Sequence, residues 1–505
     1  MVHVCQDKGA AMISRRQFLK LAGAAAIMPW GCAQLGVRPS GILLNDVHSG
    51  LNPTIVRDVI PVRSVQAIQS ALERAMKEER GVSVAGGRHA MGGQQFGTDT
   101  LHLDMRSFNQ VLNFDSGSGL VEVEAGIQWP ELIQASLAMQ EGAIKQWGIV
   151  QKQTGADRLS VGGGLSANIH GRGLRLKPFV GDIESFKLVL ADGQVMLCSR
   201  FQNSDLFKLA VGGYGLFGIV SSVTLRLMPR QKLQRVVELV RVDDVIQRFE
   251  QRVAEGFLYG DCQFALDPAS EDFLSRGIFS CYRPVDPAMP IPDRQREISE
   301  DQWLRLLYLA HADKTKAFEV YASEYLTTNG QIYWSDTHQA SYYPEGYHRS
   351  LDSKMKARTT GSEMISELYV PRQELASFFA DMREDFRRHK VEAIYGTIRL
   401  IERDDESFLA WAKEPWACTV LNLHVSHTTE GIERAAASFR RLIDLARKRG
   451  GSYFLTYHKW ATRGQVEACY PQFSEFLRLK RKHDPQERFQ SDWYRHYRTM
   501  FADRL

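Results

Sequence analysis

The chain has no Cys-x-x-Cys pair in its 505 residues, and its seven cysteines are scattered. That spacing excludes a zinc ribbon or finger, which needs paired thiolates. Cys198, Cys262, Cys281, Cys418 and Cys469 read as buried thiols, with one disulfide left open for an exported protein. A long apolar run is missing too. The alanine-rich stretch Leu21–Met28 falls well short of the roughly 20 residues that span a bilayer. There is little basic surplus. Lys8, Arg15, Arg16 and Lys20 against Asp7 supply most of the net charge of +4. The remainder is nearly neutral, so nucleic acid is excluded as a partner, since its binders keep a basic stripe. The run Arg478–Lys482 reads as a solvated face. Composition, 44% hydrophobic and 24% charged, is that of a globular chain long enough for two domains.

What is present begins with an address. Ser14-Arg15-Arg16-Gln17-Phe18-Leu19-Lys20, followed by Leu21–Met28, resembles a twin-arginine export signal. Residues 1–33 are assigned to that signal and residues 34–54 to a linker. The export machinery is then a partner, and a periplasmic or otherwise exported location is expected. Cys32 stands either in a small-residue cleavage site or as a lipid anchor.

Two glycine-rich segments follow, Gly86-Gly87-Arg88-His89-Ala90-Met91-Gly92-Gly93-Gln94 and Ser160-Val161-Gly162-Gly163-Gly164, the latter running on to Asn168-Ile169-His170-Gly171. Glycine lets bare backbone approach a ligand and adopts positive φ freely. Two such loops point to a large bound cofactor. The pattern around them predicts an amphipathic helix over Ser64–Glu79, with Val65, Ile68, Leu72, Ala75 and Met76 on one stripe. It also predicts strands at Val82–Ala85, Leu101–Met105, Leu120–Ala125 and Ile219–Leu227, and a hairpin turning at Ala191-Asp192-Gly193. A third segment, Gly213-Tyr214-Gly215-Leu216-Phe217-Gly218, matches GxGxxG. A dinucleotide fingerprint needs a strand before it and a helix after it; here a helix precedes and a strand follows.

The ordered set between about Ile55 and Pro229 resembles the PCMH-type FAD-binding domain of the vanillyl-alcohol oxidase family. It is similar in pattern to decaprenylphosphoryl-ribose oxidases, alditol oxidases and cytokinin dehydrogenases. The resemblance implies an α+β protein. Residues 55–230 would form the two-subdomain FAD-binding part, and residues 231–470 a substrate-binding cap with an antiparallel sheet flanked by helices. Residues 471–505 would return to the first part. It implies FAD held by Ala85, Gly86, Gly87, Arg88, His89, Ala90, Gly92, Gly93 and Gln94. Ser160, Val161, Gly162, Gly163, Ala167, Asn168, His170 and Gly171 would hold it from the second loop, with Gly218, Ile219 and Val220 from the third. Successive backbone N–H groups of such a turn can accept a pyrophosphate. In many relatives the histidine at the His89 position is bonded to the flavin, and a covalent link is expected here. Arg88 stands where the family pattern has glycine, and Ala90 where it has serine. His170 is assigned a structural hydrogen bond.

In the cap, strands are expected at Glu363–Val370, Ala393–Glu402, Cys418–Ser426 and Tyr453–Tyr457, helices at Gln373–His389 and Gly431–Lys448, and one helix over Trp303–Leu326 near the substrate entrance. The resemblance points to Arg399 as support for a reacting alcohol. It places Lys459, beside His458 at a strand end, against flavin and substrate. Glu367 is a base or a sheet carboxylate. His424 and His427 alternate with apolar residues and read as sheet-face histidines. No metal ligands are assigned. The implied function is an exported FAD-linked oxidase or dehydrogenase taking hydride from a C–OH or C–N bond of a sugar, polyol, lactone or alcohol. Its electrons would pass to dioxygen, a quinone or a cytochrome. A non-catalytic flavin-binding or assembly protein and an NAD(P)H-dependent reductase stand as alternatives.

Overall fold

The computed structural model describes residues 41–341 and 343–505. The twin-arginine motif, Cys32 and the first part of the expected linker lie outside them. Within the described residues, no helix is long and apolar enough to cross a membrane.

Among the described residues, three sheets precede Lys232. A short antiparallel pair joins Ile42–Leu44 to Thr54–Val56. A parallel sheet places Leu101–Asp104 between Asp58–Pro61 and Val82–Ala85. The helix Val65–Lys77, capped by the Ser64 hydroxyl, buries Ile68, Ala71, Leu72 and Ala75. Met76, expected on that stripe, is exposed. The third sheet is antiparallel, in the order Val195–Ser199, Ile183–Val189, Ile219–Pro229, Leu120–Glu124, Val111–Asp115. Its first pair closes through Gly193 at φ +84°. The glycine-rich segment at 213–218 does run from the helix Ser204–Ala210 into the strand Ile219–Pro229, the reverse of a dinucleotide fingerprint.

Lys232 begins an eight-stranded antiparallel sheet. Its inner strands are Lys232–Arg241, Arg276–Pro284, Tyr259–Phe264, Ala393–Ile401, Trp416–Ser426 and Gly361–Pro371, in that spatial order. One face packs on the helices Leu375–His389 and Thr429–Arg447 through Met364, Leu368, Phe378 and Phe439. The sequence pattern suggests helices flanking the sheet on one face. The other face also meets helices, because Glu363 reaches His311 and His348 there. The expected helix over Trp303–Leu326 is two, Glu300–Ala312 and Lys314–Thr327, broken at Asp313, whose side chain caps the second. The expected strand Tyr453–Tyr457 reduces to Ser452–Tyr453.

The chain's end pairs with the parallel sheet. Val82 N–H donates to the Arg488 carbonyl at 2.7 Å, and Gln490 N–H to the Val82 carbonyl at 2.9 Å. The Arg488 guanidinium donates to the carbonyls of Ala75 and Arg80.

Candidate functional site

A cavity of about 910 Å³ is walled by both glycine-rich segments, the 214–220 turn and one face of the eight-stranded sheet. Of the residues assigned to a cofactor, Ala85, Gly86, Gly87, Arg88, His89, Ala90 and Gln94 line it, as do Ser160, Gly162, Gly163, Ala167, His170, Gly218, Ile219 and Val220. Five do not. Val161 is core. Asn168 spends its carboxamide on Asp404 and the Val180 N–H. Gly171 donates its N–H to Gln151 Oε1. Gly92 and Gly93 lie toward Thr456 and Asn52.

The glycines are there for close approach more than for turning. A Cβ on Gly86 would sit 2.0 Å from Ser160 Oγ, and one on Gly87 2.1 Å from the Arg158 carbonyl. The first segment is thus pressed on the second. Positive φ appears instead at Gly93 (78°) and at Arg88 (60°). Arg88 occupies, under strain, the kind of position that suits glycine. The second segment, expected as a loop, is the short helix Val161–Ala167, capped by Ser160 Oγ and ended by Asn168 in the left-handed region.

His89 is buried at the first segment's turn. Its Nδ1 lies 2.9 Å from His48 Nε2, while Nε2 makes no hydrogen bond of ordinary geometry and has the Arg158 backbone beside it. Burial pushes its pKa down to about 4, so the ring is neutral near pH 7. Tyr343 packs on His48 with ring centroids 4.1 Å apart. No sequence signal links His48 or Tyr343 to His89, because both stand in segments without a motif.

Across the cavity, Glu367 is buried on the strand Gly361–Pro371. Its Oε1 accepts from the Tyr457 hydroxyl at 3.0 Å. Its Oε2 accepts from the Tyr369 hydroxyl at 2.9 Å and lies 2.8 Å from His170 Nε2. His170 Nδ1 faces the Gly171 carbonyl at 3.0 Å, which can only accept. The Nε2–Oε2 contact therefore holds a second proton. Burial alone would push the Glu367 carboxyl up. The imidazole of His170 and the guanidinium of Arg399 outweigh it and hold the pKa below the usual carboxylate range. Arg399 also lines the cavity, donates to Thr154 Oγ1 and keeps a buried Nε without a partner.

The other two catalytic assignments, His458 and Lys459, stand away from the cavity wall. His458 is buried in a stack with Phe439 and Trp460 and reaches only toward Ser366 Oγ at 3.5 Å. Lys459 is half-buried, with its ammonium toward Gly93 and Asp492. Neither lines the cavity. Their neighbour Tyr457 does, and sequence reasoning misses it because the expected strand there is a turn.

An apolar wall comes from Ile298, Trp303, Leu306, Leu307 and Phe318. A second buried carboxylate, Glu363, stands on the same strand face as Glu367 and is surrounded by His311, His348 and His424.

The cavity suits a flavin dinucleotide: it is about 910 Å³ in volume and is lined by the bare backbone of Gly86, Gly87, Gly162 and Gly163 and by the neutral His89. Residues 57–199 match the model of an FAD binding domain. An uncharacterized oxidoreductase from the fasciation locus of Rhodococcoides fascians is 31% identical over 195 residues, which is 39% of this chain and 42% of that protein. The decaprenylphosphoryl-β-D-ribose oxidase of Mycolicibacterium smegmatis is 31% identical over 36% of this chain and 39% of its own length. The chain thus spans about two fifths of the length of these two relatives. The L-gulono-1,4-lactone dehydrogenase of Mycobacterium tuberculosis is 23% identical over 79% of this chain and 86% of its own. Residues 57–199 are accordingly an FAD binding domain, and FAD is the cofactor this chain binds.

Proposed function

We propose that the protein is an FAD-dependent oxidoreductase that oxidises a C–OH bond of a sugar, a sugar lactone or a related alcohol. The observation that carries this reading is the convergence of Glu367, Tyr457 and Arg399 on the cavity that the glycine-rich segments wall. FAD, when bound, supplies the hydride acceptor. The protein's own residues supply the rest. Glu367 Oε1 carries one hydrogen bond where Oε2 meets His170, Tyr369 and the Cys418 thiol, so Oε1 has the lone pair left for a substrate hydroxyl proton. Tyr457 orients that carboxylate, and His170 balances its charge from the far side. Arg399 lines the cavity and brings a cation to where a substrate oxygen would sit. The apolar wall excludes water on the entrance side.

Relatives with gulonolactone and decaprenylphosphoryl-ribose in their names support the sugar-like substrate class. The twin-arginine motif supports export to the periplasm or beyond, with Cys32 either in a cleavage site or as a lipid anchor. The final electron acceptor is dioxygen, a quinone or a cytochrome. The test is anaerobic mixing of holoprotein with sugars, polyols, lactones, amines and 2-hydroxy acids. Bleaching of the flavin by a sugar, lactone or alcohol is the expected outcome; bleaching by amines alone overturns the reading. His89 is the residue we assign to a covalent flavin bond. Acid precipitation should keep the yellow colour in the pellet of the wild type and release it to the supernatant in His89→Ala. Full release from the wild type removes the bond.

A further inference from the structure

Glu363, four residues before Glu367, gathers three histidines from three elements: His311 at the end of the helix Glu300–Ala312, His348 in the helix Tyr347–Met355 and His424 on the neighbouring strand. The two carboxylate oxygens are divided between them. Oε1 faces His311 Nε2 at 3.1 Å and His424 Nδ1 at 3.4 Å. Oε2 faces His348 Nδ1 at 2.9 Å and accepts the Tyr347 hydroxyl.

Three features separate the Oε1 side from an ordinary satisfied carboxylate. His311 Nε2 is buried and lies within 3.1 Å of Oε1, yet it makes no hydrogen bond of acceptable geometry. Atoms that touch without a donor aimed at an acceptor are arranged as ligands are around a shared cation. The separations also fit. With Zn–N and Zn–O bonds near ~2.1 Å, two ligand atoms of a tetrahedral site sit about 3.4 Å apart. The His311 and His424 nitrogens and the Glu363 oxygen all lie within 4.8 Å of one another. Third, space has been cleared for the His424 ring. A Cβ on Gly361, its neighbour across the strands, would meet His424 Cε1 at 2.4 Å.

We infer that His311, His424 and Glu363 bind a divalent first-row transition metal of the zinc type. His348 and Tyr347 hold the carboxylate's other oxygen, as outer hydrogen bonds commonly do around a metal ligand. Two imidazoles and a carboxylate leave at least one coordination position over. Glu363 lines the cavity, whereas His311 and His424 stand behind its wall. The metal fastens the helix that carries Trp303, Leu306 and Leu307 onto the sheet, and so fixes the apolar wall. The other group of metal-capable residues, His170, Glu367 and Cys418, does not compete. There the Tyr369 and Tyr457 hydroxyls already occupy the carboxylate.

Tag-free holoprotein, dialysed with zinc chloride and then against metal-free buffer, should retain about one zinc per chain by elemental analysis. His311→Ala and His424→Asn should each lose it while keeping the flavin absorbance of the wild type, which reports a folded FAD domain. Titration calorimetry with zinc chloride gives the same comparison without relying on what survives dialysis. Wild-type protein that binds no zinc at micromolar concentration overturns the inference, whatever the variants do. So does zinc kept at full stoichiometry by both variants, or lost only in Cys418→Ser.

Discussion

Tyr457 and His458 are neighbours in sequence and go to opposite faces of the strand Gly361–Pro371. Tyr457 meets Glu367 in the cavity, whereas His458 meets Ser366 behind it. On the cavity face stand Glu363, Glu367 and Arg399, buried groups whose charges are held by named partners. On the rear face Met364 and Leu368 pack against helices, and His458 lies in an aromatic stack. A single strand therefore separates chemistry from packing by the two-residue alternation of side chains. Charge is retained only on the side where imidazoles, hydroxyls and a guanidinium offset the cost of burial. The two glutamates differ in turn. Glu363 is held well below the usual carboxylate range against its burial by three imidazoles. Glu367 is held down by one imidazole, with Arg399 and a tyrosine hydroxyl.

The largest effect should come from the cavity face. Glu367→Gln keeps the size and the hydrogen bond from Tyr457 but removes the base. Substrate-driven flavin bleaching should slow by roughly 10²–10⁴-fold, the usual contribution of a positioned base. Stopped-flow bleaching at saturating substrate measures it, with flavin content as the control. A loss under threefold would move the proton's destination elsewhere and dissolve the contrast between the faces.

The rear face should answer in stability instead. Burial pushes the His458 pKa down to about 3, whereas an unfolded histidine titrates near 6.5. Between those values the unfolded chain binds the extra proton, so this group's burial costs stability as pH falls below about 6.5. Each pH unit of descent removes about 1.4 kcal/mol until the folded state also protonates. His458→Phe keeps the stack and deletes the proton. Urea unfolding at pH 7 and pH 5 should show a shallower loss in the variant, by about 2 kcal/mol, since only the interval from about pH 6.5 to pH 5 contributes. Equal losses in both proteins would mean that His458 titrates freely.

Much of this is legible in the amino-acid sequence itself. Glycine order, the helix-before-strand context of Gly213–Gly218 and the alternation in Glu363–Val370 are local signals, and local signals survive folding. What the sequence hides is longer-ranged. The assignment of His458 and Lys459 rests on the resemblance and on a strand ending at Tyr457, but pairing stops at Tyr453 and a turn follows. The His311–Glu363–His424 group joins a helix end to two strands, with no spacing in the sequence to announce it. His48 and Tyr343 reach His89 from segments that carry no periodicity at all. The reason for Gly86 and Gly87 is hidden in the same way. Positive φ is a property of one residue, whereas the clash with Ser160 and Arg158 needs the second segment in place.

Lys459 makes the smallest prediction and the sharpest one for position. A cation beside the flavin would stabilise developing negative charge by roughly 1.5–3 kcal/mol, or about 10–150-fold in rate. The Lys459 ammonium lies instead toward Gly93 and Asp492, and burial lowers its pKa. From there it acts on the first glycine-rich segment from behind, through a residue that does not itself line the cavity. Lys459→Met should therefore leave the bleaching rate within about twofold of the wild type, far below that expectation for a contacting cation. A tenfold fall at unchanged flavin content would place the ammonium at the ring. It would also move the division between the two faces by two residues.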